Sequence, residues 1–180
     1  MPLIIVPDRH KKHHLGENKP EAIVMHHSTT PDGRTLSSGL FRLDHMGLVD
    51  WSRWLKTPMD DTGYTYIVEL YSYTDYDYYE ILMGRPETWA GGHCPQGGMN
   101  NKSIGVCLVG NFDLAPPTDE MLIRTVRGVI VPVYYRYKWP VSELESRVRG
   151  HASYANDGRT CPGKLFPWPK FYTMIREEMS

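Results

Sequence analysis

The sequence predicts a single α/β (α+β) domain with a central mixed β-sheet flanked by helices, and three observations carry that prediction. Short apolar runs rich in β-branched residues alternate with stretches of helical periodicity, the order expected when helices cover a sheet. The chain has 180 residues, which suits one domain with a substantial core. No internal repeat or low-complexity linker divides it. Hydrophobic residues make up 41% and charged residues 23%, the balance of an ordinary globular protein.

The elements follow in order. Ala22 to His27 (AIVMHH) reads as a short buried strand carrying Ile23 and Val24. Thr30 to Gly33 (TPDG) has the Pro-Asp-Gly chemistry of a turn. Ser37 to Met46 can form a helix with Leu40, Phe41 and Leu43 toward the core. Thr65 to Leu70 and Tyr78 to Met83 are two strand-like runs. Their Tyr/Asp-rich link, Tyr71 to Asp77, reads as a decorated hairpin first and as the wall of a substrate groove second. Ser103 to Val109 is the clearest central strand, almost wholly apolar and ended by Gly110 and Asn111. A helical pattern then runs from an N-cap at Thr118 through Met121, Leu122, Val126, Val129 and Ile130. Pro132 is expected to kink or end it near Val131. Lys170 to Met179 is a last helix, with Pro169 at a tolerated first-turn position.

Charge and termini narrow the function. The formal net charge is −1, which gives no general basic field for nucleic acid. No apolar run approaches the length of a membrane span. The N-terminus, MPLIIVPDRHKKHH, puts its apolar residues before its basic ones, the wrong order for a signal peptide. The expectation is a protein made in the cytoplasm and released by other means. The basic stretch Arg9 to His14 reads as a solvated arm rather than a separate metal site. Three cysteines, Cys94, Cys107 and Cys161, cannot all pair, and in a reducing compartment they read as one ligand and two free thiols.

The chemistry is concentrated in RGHASYANDGRTCPG, Arg149 to Gly163. It sets His151 ten residues before Cys161 across a segment too rich in Asn, Asp and Gly for a helix. Imidazole and thiolate are good zinc ligands, and a third is on offer in the His26-His27 pair. Two histidines and one cysteine leave a fourth tetrahedral position open for water, the catalytic arrangement. Taken singly, each piece has a plainer reading. A His-His pair is more often a surface or core feature, a cysteine is often a small buried hydrophobe, and no CxxC pair exists in the chain. Strand alternation puts His26 and His27 on opposite faces, so only one can readily join a metal, and the spacing does not say which.

Four blocks raise the joint reading: VMHHS (Val24 to Ser28), GYTYIV (Gly63 to Val68), AGGHCPQGGMNNKSIGVCLVGNF (Ala90 to Phe112) and the His151 to Cys161 block. On these the chain resembles the zinc-dependent N-acetylmuramoyl-L-alanine amidases of the type-2 amidase and peptidoglycan-recognition-protein superfamily, closest to the small phage endolysins. The resemblance runs over roughly Ala22 to Trp168 and implies an N-terminal extension over 1–20 and a catalytic domain over 21–180. It implies Zn2+ held by His26, His151 and Cys161, with His26 chosen over His27. It places Tyr64 near the metal, where its phenol could hold the nucleophilic water or pass a proton. Arg159 falls where many relatives carry a catalytic lysine. An arginine stays charged, so it can stabilise an oxyanion but cannot shuttle a proton. His93 and Asn101 lie in a Gly-rich loop that lines the substrate groove in relatives, and Cys94 beside His93 is a poor fourth ligand because it would close the site to water. Cys107 sits at a strand position where the anhydromuramyl-peptide amidases carry an acidic residue, and it reads as buried core.

The implied substrate is peptidoglycan, cut between N-acetylmuramic acid and L-alanine by a monomer without nucleic-acid or membrane-spanning partners. The alternatives are a cytoplasmic amidase recycling anhydromuramyl peptides and a peptidoglycan-binding module without catalysis. The presence of all three ligand residues counts against the last. No carboxylate pair suited to glycoside cleavage is recognisable.

Overall fold

A computed structural model describes residues 3–5, 16–30, 62–72 and 77–180. The helix expected over Ser37 to Met46, the 31–33 part of the turn and the basic stretch Arg9 to His14 lie outside the described residues. Six strands form one mixed sheet: β1 (Leu3–Ile5), β2 (Ala22–His27), β3 (Tyr66–Ser72), β4 (Asp77–Met83), β5 (Ser103–Leu108) and β6 (Val148–Gly150), in the order β1-β4-β3-β5-β2-β6. The β3–β4 pair is antiparallel and the other pairings are parallel.

Strands β2 and β5 lie side by side near one edge. Every residue of β2 and of β5 is buried, the pattern of parallel strands covered on both faces. On one face Ile23, Met25, Ile104, Val106 and Leu108 join a core completed by α1 (Asp119–Thr125), a π-helical turn (Val126–Ile130), α2 (Val131–Tyr137), α3 (Leu144–Arg147) and α4 (Trp168–Glu178). Leu122, Val129, Ile130, Val133, Phe171 and Ile175 supply the helical side of that core. On the other face Ala22 and Val24 pack with Cys94 and Met99, and Cys107 packs with Tyr64, Ile67, Leu82 and Val109. The faces are chemically distinct because strand side chains alternate.

Several elements depart from expectation. Of the two outcomes expected near Val131, an end or a kink, the helix does not end: it is interrupted just before Val131 and then continues. Proline cannot donate a backbone hydrogen bond, and its ring crowds the carbonyl four residues back, here that of Gly128. The chain widens into a π turn over this stretch, with the Val131 N–H bonded to the Val126 carbonyl, and resumes α-helix with the proline in its first turn. The Tyr71 to Asp77 link is shorter than it reads, because Tyr71, Ser72 and Asp77 are strand residues and Ser72 pairs with Asp77. Its 73–76 tip lies outside the described residues. The N-terminal segment is woven into the domain: β1 pairs with β4 at the sheet edge, and the Asn18 amide donates to the Glu87 and Ser103 carbonyls. Strand β6, three residues long, is too short to leave a periodic signal. It nonetheless delivers the chain to His151.

The Thr118 hydroxyl caps α1 by accepting from the Met121 N–H at 3.1 Å, and it donates to the Tyr79 hydroxyl at 2.8 Å. Thr118→Ala should therefore lower unfolding stability by about 1–2 kcal/mol, with Thr118→Ser close to wild type. Urea unfolding of the two variants checks this.

Candidate metal centre

Parallel pairing assembles the centre. Met25 of β2 lies opposite Gly150 of β6, so His26 and His151, each the next residue, leave the sheet side by side with ring centroids 4.7 Å apart. The chain makes a 3-10 turn over His151–Tyr154 and returns, and the Ala152 N–H bonds the Cys161 carbonyl at 2.8 Å. That return puts Cys161 Sγ 3.6 Å from His26 Nδ1. One ligand atom each from His26, His151 and Cys161 lies within 4.8 Å of the others, the one such group among the described residues.

Loop contacts hold the cysteine. Asp113 accepts from the Thr160 hydroxyl at 2.7 Å and from the Lys164 N–H at 2.8 Å, gripping the chain on both sides of Cys161. Gly163, at φ +116, lies so close to Phe112 that a Cβ would sit 2.5 Å from its carbonyl carbon. His27 faces the other way: its Nδ1 accepts the Phe112 N–H at 3.1 Å, a structural bond away from the cluster.

Tyr64 is buried beside the cluster, with its ring 5.1 Å from that of His26. Arg159 does two things at once. Its Nε donates to both Asp157 oxygens, at 2.8 and 3.0 Å, while Nη1 reaches His151 Nε2 at 2.6 Å. The same nitrogen is 3.1 Å from Gln96 Oε1. A guanidinium only donates, so Nε2 must accept from Arg159 and cannot donate to Gln96 in the same protonation state.

The Gly-rich loop differs from expectation in detail. His93 is fully buried rather than exposed on the loop; its Nδ1 lies 3.0 Å from His26 Nε2, on the far side of that ring from Cys161. Asn101 is exposed, but its amide donates to the Glu17 carbonyl at 3.2 Å, tying down the N-terminal segment rather than facing the cluster. The preceding Asn100 shapes the loop: its Oδ1 accepts from the N–H groups of His93 and Cys94 at 2.9 and 2.7 Å. Asn100 and Gln96 carried no sequence signal beyond turn-forming composition. Cys94 and Cys107 are buried outside the three-residue group.

Burial dominates the electrostatics. Desolvation is the largest cause lowering the His26 and His93 pKa values, the latter to about 3, and that of His151 to about 4, with Arg159 adding to the His151 shift. Desolvation pushes the Cys161 thiol up to about 12. The imidazoles are therefore neutral at physiological pH, which is their ligand state, while the thiol keeps its proton until a cation displaces it.

No curated protein matches the chain significantly. Solved structures do: LysC, an N-acetylmuramoyl-L-alanine amidase from Clostridium intestinale URNW, is 17% identical with TM-score 0.64, covering 98% of both chains. The Ph2119 endolysin from Thermus scotoductus MAT2119 bacteriophage Ph2119 is 19% identical with TM-score 0.60, covering 92% of both. A Drosophila PGRP-LB variant in complex with tracheal cytotoxin is 23% identical with TM-score 0.59, covering 87% of this chain and 85% of the other. The family description N-acetylmuramoyl-L-alanine amidase, Amidase_2, matches residues 16–164, most of the chain, and the protein belongs to that family.

Proposed function

We propose that this chain is a zinc-dependent N-acetylmuramoyl-L-alanine amidase that hydrolyses the amide between the lactyl group of N-acetylmuramic acid and L-alanine in peptidoglycan, as a phage-type endolysin. The observation that carries the proposal is the convergence of His26, His151 and Cys161, with ligand atoms within 4.8 Å of one another. The donor set fits the metal: two neutral imidazoles and one thiol suit zinc, whereas calcium and magnesium want oxygens. The likeness to an amidase and an endolysin supports the setting. Among the described residues no helix is long and apolar enough to cross a membrane.

Amide hydrolysis needs a nucleophile, a polarised carbonyl and a stabilised oxyanion. A zinc ion held by His26, His151 and Cys161 would supply a Lewis acid and lower the pKa of a bound water to about 7. The chain supplies the rest. Arg159 presents a fixed positive donor at the cluster, with its fork held by Asp157, so little reorganisation is needed when charge develops on the substrate oxygen. Tyr64, packed on His26, is proposed to position the attacking water or carry its proton.

A binding-only reading has one specific support, the likeness to the PGRP-LB variant solved with tracheal cytotoxin. Product analysis separates the readings. Digestion of bacterial walls should release new L-alanine amino termini and no new reducing sugar ends, and a chelator should abolish it with zinc restoring it. Binding without any release of product would leave the module reading. A preference for defined anhydro over intact muropeptides would favour the recycling amidase.

Arg159→Ala should lower kcat about a hundredfold or more, the size typical of losing one oxyanion donor, with zinc content unchanged. Arg159→Lys should recover much of the rate. An alanine variant with near wild-type turnover would leave Arg159 only its ion pair with Asp157.

Zinc binding should also be linked to protons. His26 and His151 are already neutral near pH 7, whereas the Cys161 thiol, pushed up to about 12, must lose its proton to ligate. About one proton should therefore leave per zinc, and affinity should rise roughly tenfold per pH unit across about pH 5–8. Below that range, protonation of His151, at about 4, should steepen the loss. Calorimetry in two buffers of different ionisation enthalpy counts the protons, and a count near zero would remove Cys161 from the ligand set.

A further inference from the structure

The interior behind His26 is built around a second histidine that takes no part in the ligand group. His93 is fully buried, and its ring stands edge-on to that of His26 with centroids 5.0 Å apart. Its Nδ1 is 3.0 Å from His26 Nε2, and the Ser103 backbone is a hydrogen-bond partner of the ring. Room for it is made by two glycines: a Cβ at Gly105 of β5 would lie 2.6 Å from His93 Cδ2, and one at Gly91 would lie 2.4 Å from it. Its backbone is fixed as well, since the N–H donates to Asn100 Oδ1. Ring, backbone and cavity thus all hold Nδ1 against His26.

We propose that His93 is a positioning residue whose Nδ1 accepts the Nε2–H of His26, so that Nδ1 of His26 is the nitrogen left free to bind the metal. The proposal rests on the zinc reading above. A neutral imidazole carries one ring proton, and the choice of nitrogen is set by the bond the other makes. His26 Nδ1 is the nitrogen on the Cys161 side, 3.6 Å from Sγ, so a proton there would block the ligand position. An acceptor at Nε2 draws the proton to the opposite side and fixes the ring plane. Such an outer partner is ordinarily a carboxylate, carbonyl or water. A neutral imidazole performs the task without adding a negative charge to a buried site.

The test compares two substitutions of nearly equal shape. In His93→Asn the amide oxygen can stand where Nδ1 stood; in His93→Leu a methyl stands there and accepts nothing. Both leave a similar void, so a packing role would affect them alike. Zinc dissociation constants, measured by competition with a chromogenic chelator, should be weakened about 10–100-fold by His93→Leu, the size typical of losing such a partner. His93→Asn should stay within a few-fold of wild type. Equal losses in the two variants, or no loss in His93→Leu, would overturn the positioning role while leaving zinc binding intact. A wild-type protein that binds no zinc would overturn the metal reading and this one with it. Should His93→Leu fail to fold, long-range proton–nitrogen NMR of the zinc-loaded wild type decides the question. It should show His26 protonated at Nε2 and metal-bound at Nδ1, and the opposite assignment would sink the proposal.

Discussion

The register of β2 is the constraint on which the site depends. A slip of one residue would exchange every side chain between the two faces of the sheet. His27 would then stand in the ligand cluster and His26 in the helical core. Two kinds of contact forbid the slip. Ile23 and Met25 are committed to the large apolar core under the helices, and burying each contributes roughly 1.5–3 kcal/mol. His27, on the same face, accepts the Phe112 N–H, which also anchors the loop that grips the Cys161 segment through Asp113. Apolar packing on one face therefore aims a polar side chain on the other.

The cost of this placement is a set of titratable groups held away from water. Each imidazole is kept neutral and the thiol protonated, so the cluster carries little charge of its own beside the Arg159 guanidinium. A cation entering it must displace the Cys161 proton and compete with the Arg159 donor for the His151 lone pair. That arrangement favours a thiophilic divalent ion over a hard one, because the group found among the described residues offers nitrogen and sulfur and no carboxylate. It also explains why the outer partner of His26 can be another imidazole: a buried carboxylate at His93 would add a charge that the low dielectric penalises heavily.

What could be read from the sequence was what depends on neighbours in the chain. The apolar runs of β2 and β5, the Thr118 cap and the alternation separating His26 from His27 are all local. So is the return from His151 to Cys161, because a short loop cannot carry them far apart. The rest depends on partners distant in sequence. His93 lies 67 residues from the His26 ring it touches, and a Gly-His-Cys string is equally consistent with a loop residue facing a ligand. The room left by Gly91 and by Gly105 of β5 is what turns it inward. Asn101 looked equivalent to Asn100 by composition, and their roles diverge because the 3-10 turn over Gln96–Asn101 directs one amide to the loop and the other to Glu17. Pro132 signals an irregularity near Val131 but not its form: a π turn removes the conflict that an unbroken α-helix would have, and it leaves no residue-level signature.

Arg159 shows how a change of residue type redistributes the chemistry. A lysine at this position could give up a proton; a guanidinium does not. What arginine gains is geometry, since its fork can grip Asp157 and still direct one nitrogen to His151. A flexible lysine gripped by the same aspartate would have to release it to reach the cluster. The pair thus behaves as a preset positive arm, worth most where charge appears during the reaction rather than before it. The proton that leaves the attacking water must then travel by another group. In the proposed enzyme that falls to Tyr64, whose ring packs against His26 on the same face of the sheet, or to the substrate's own leaving nitrogen. Division of labour between a fixed charge and a separate proton carrier is the consequence of placing arginine two residues before the ligand cysteine.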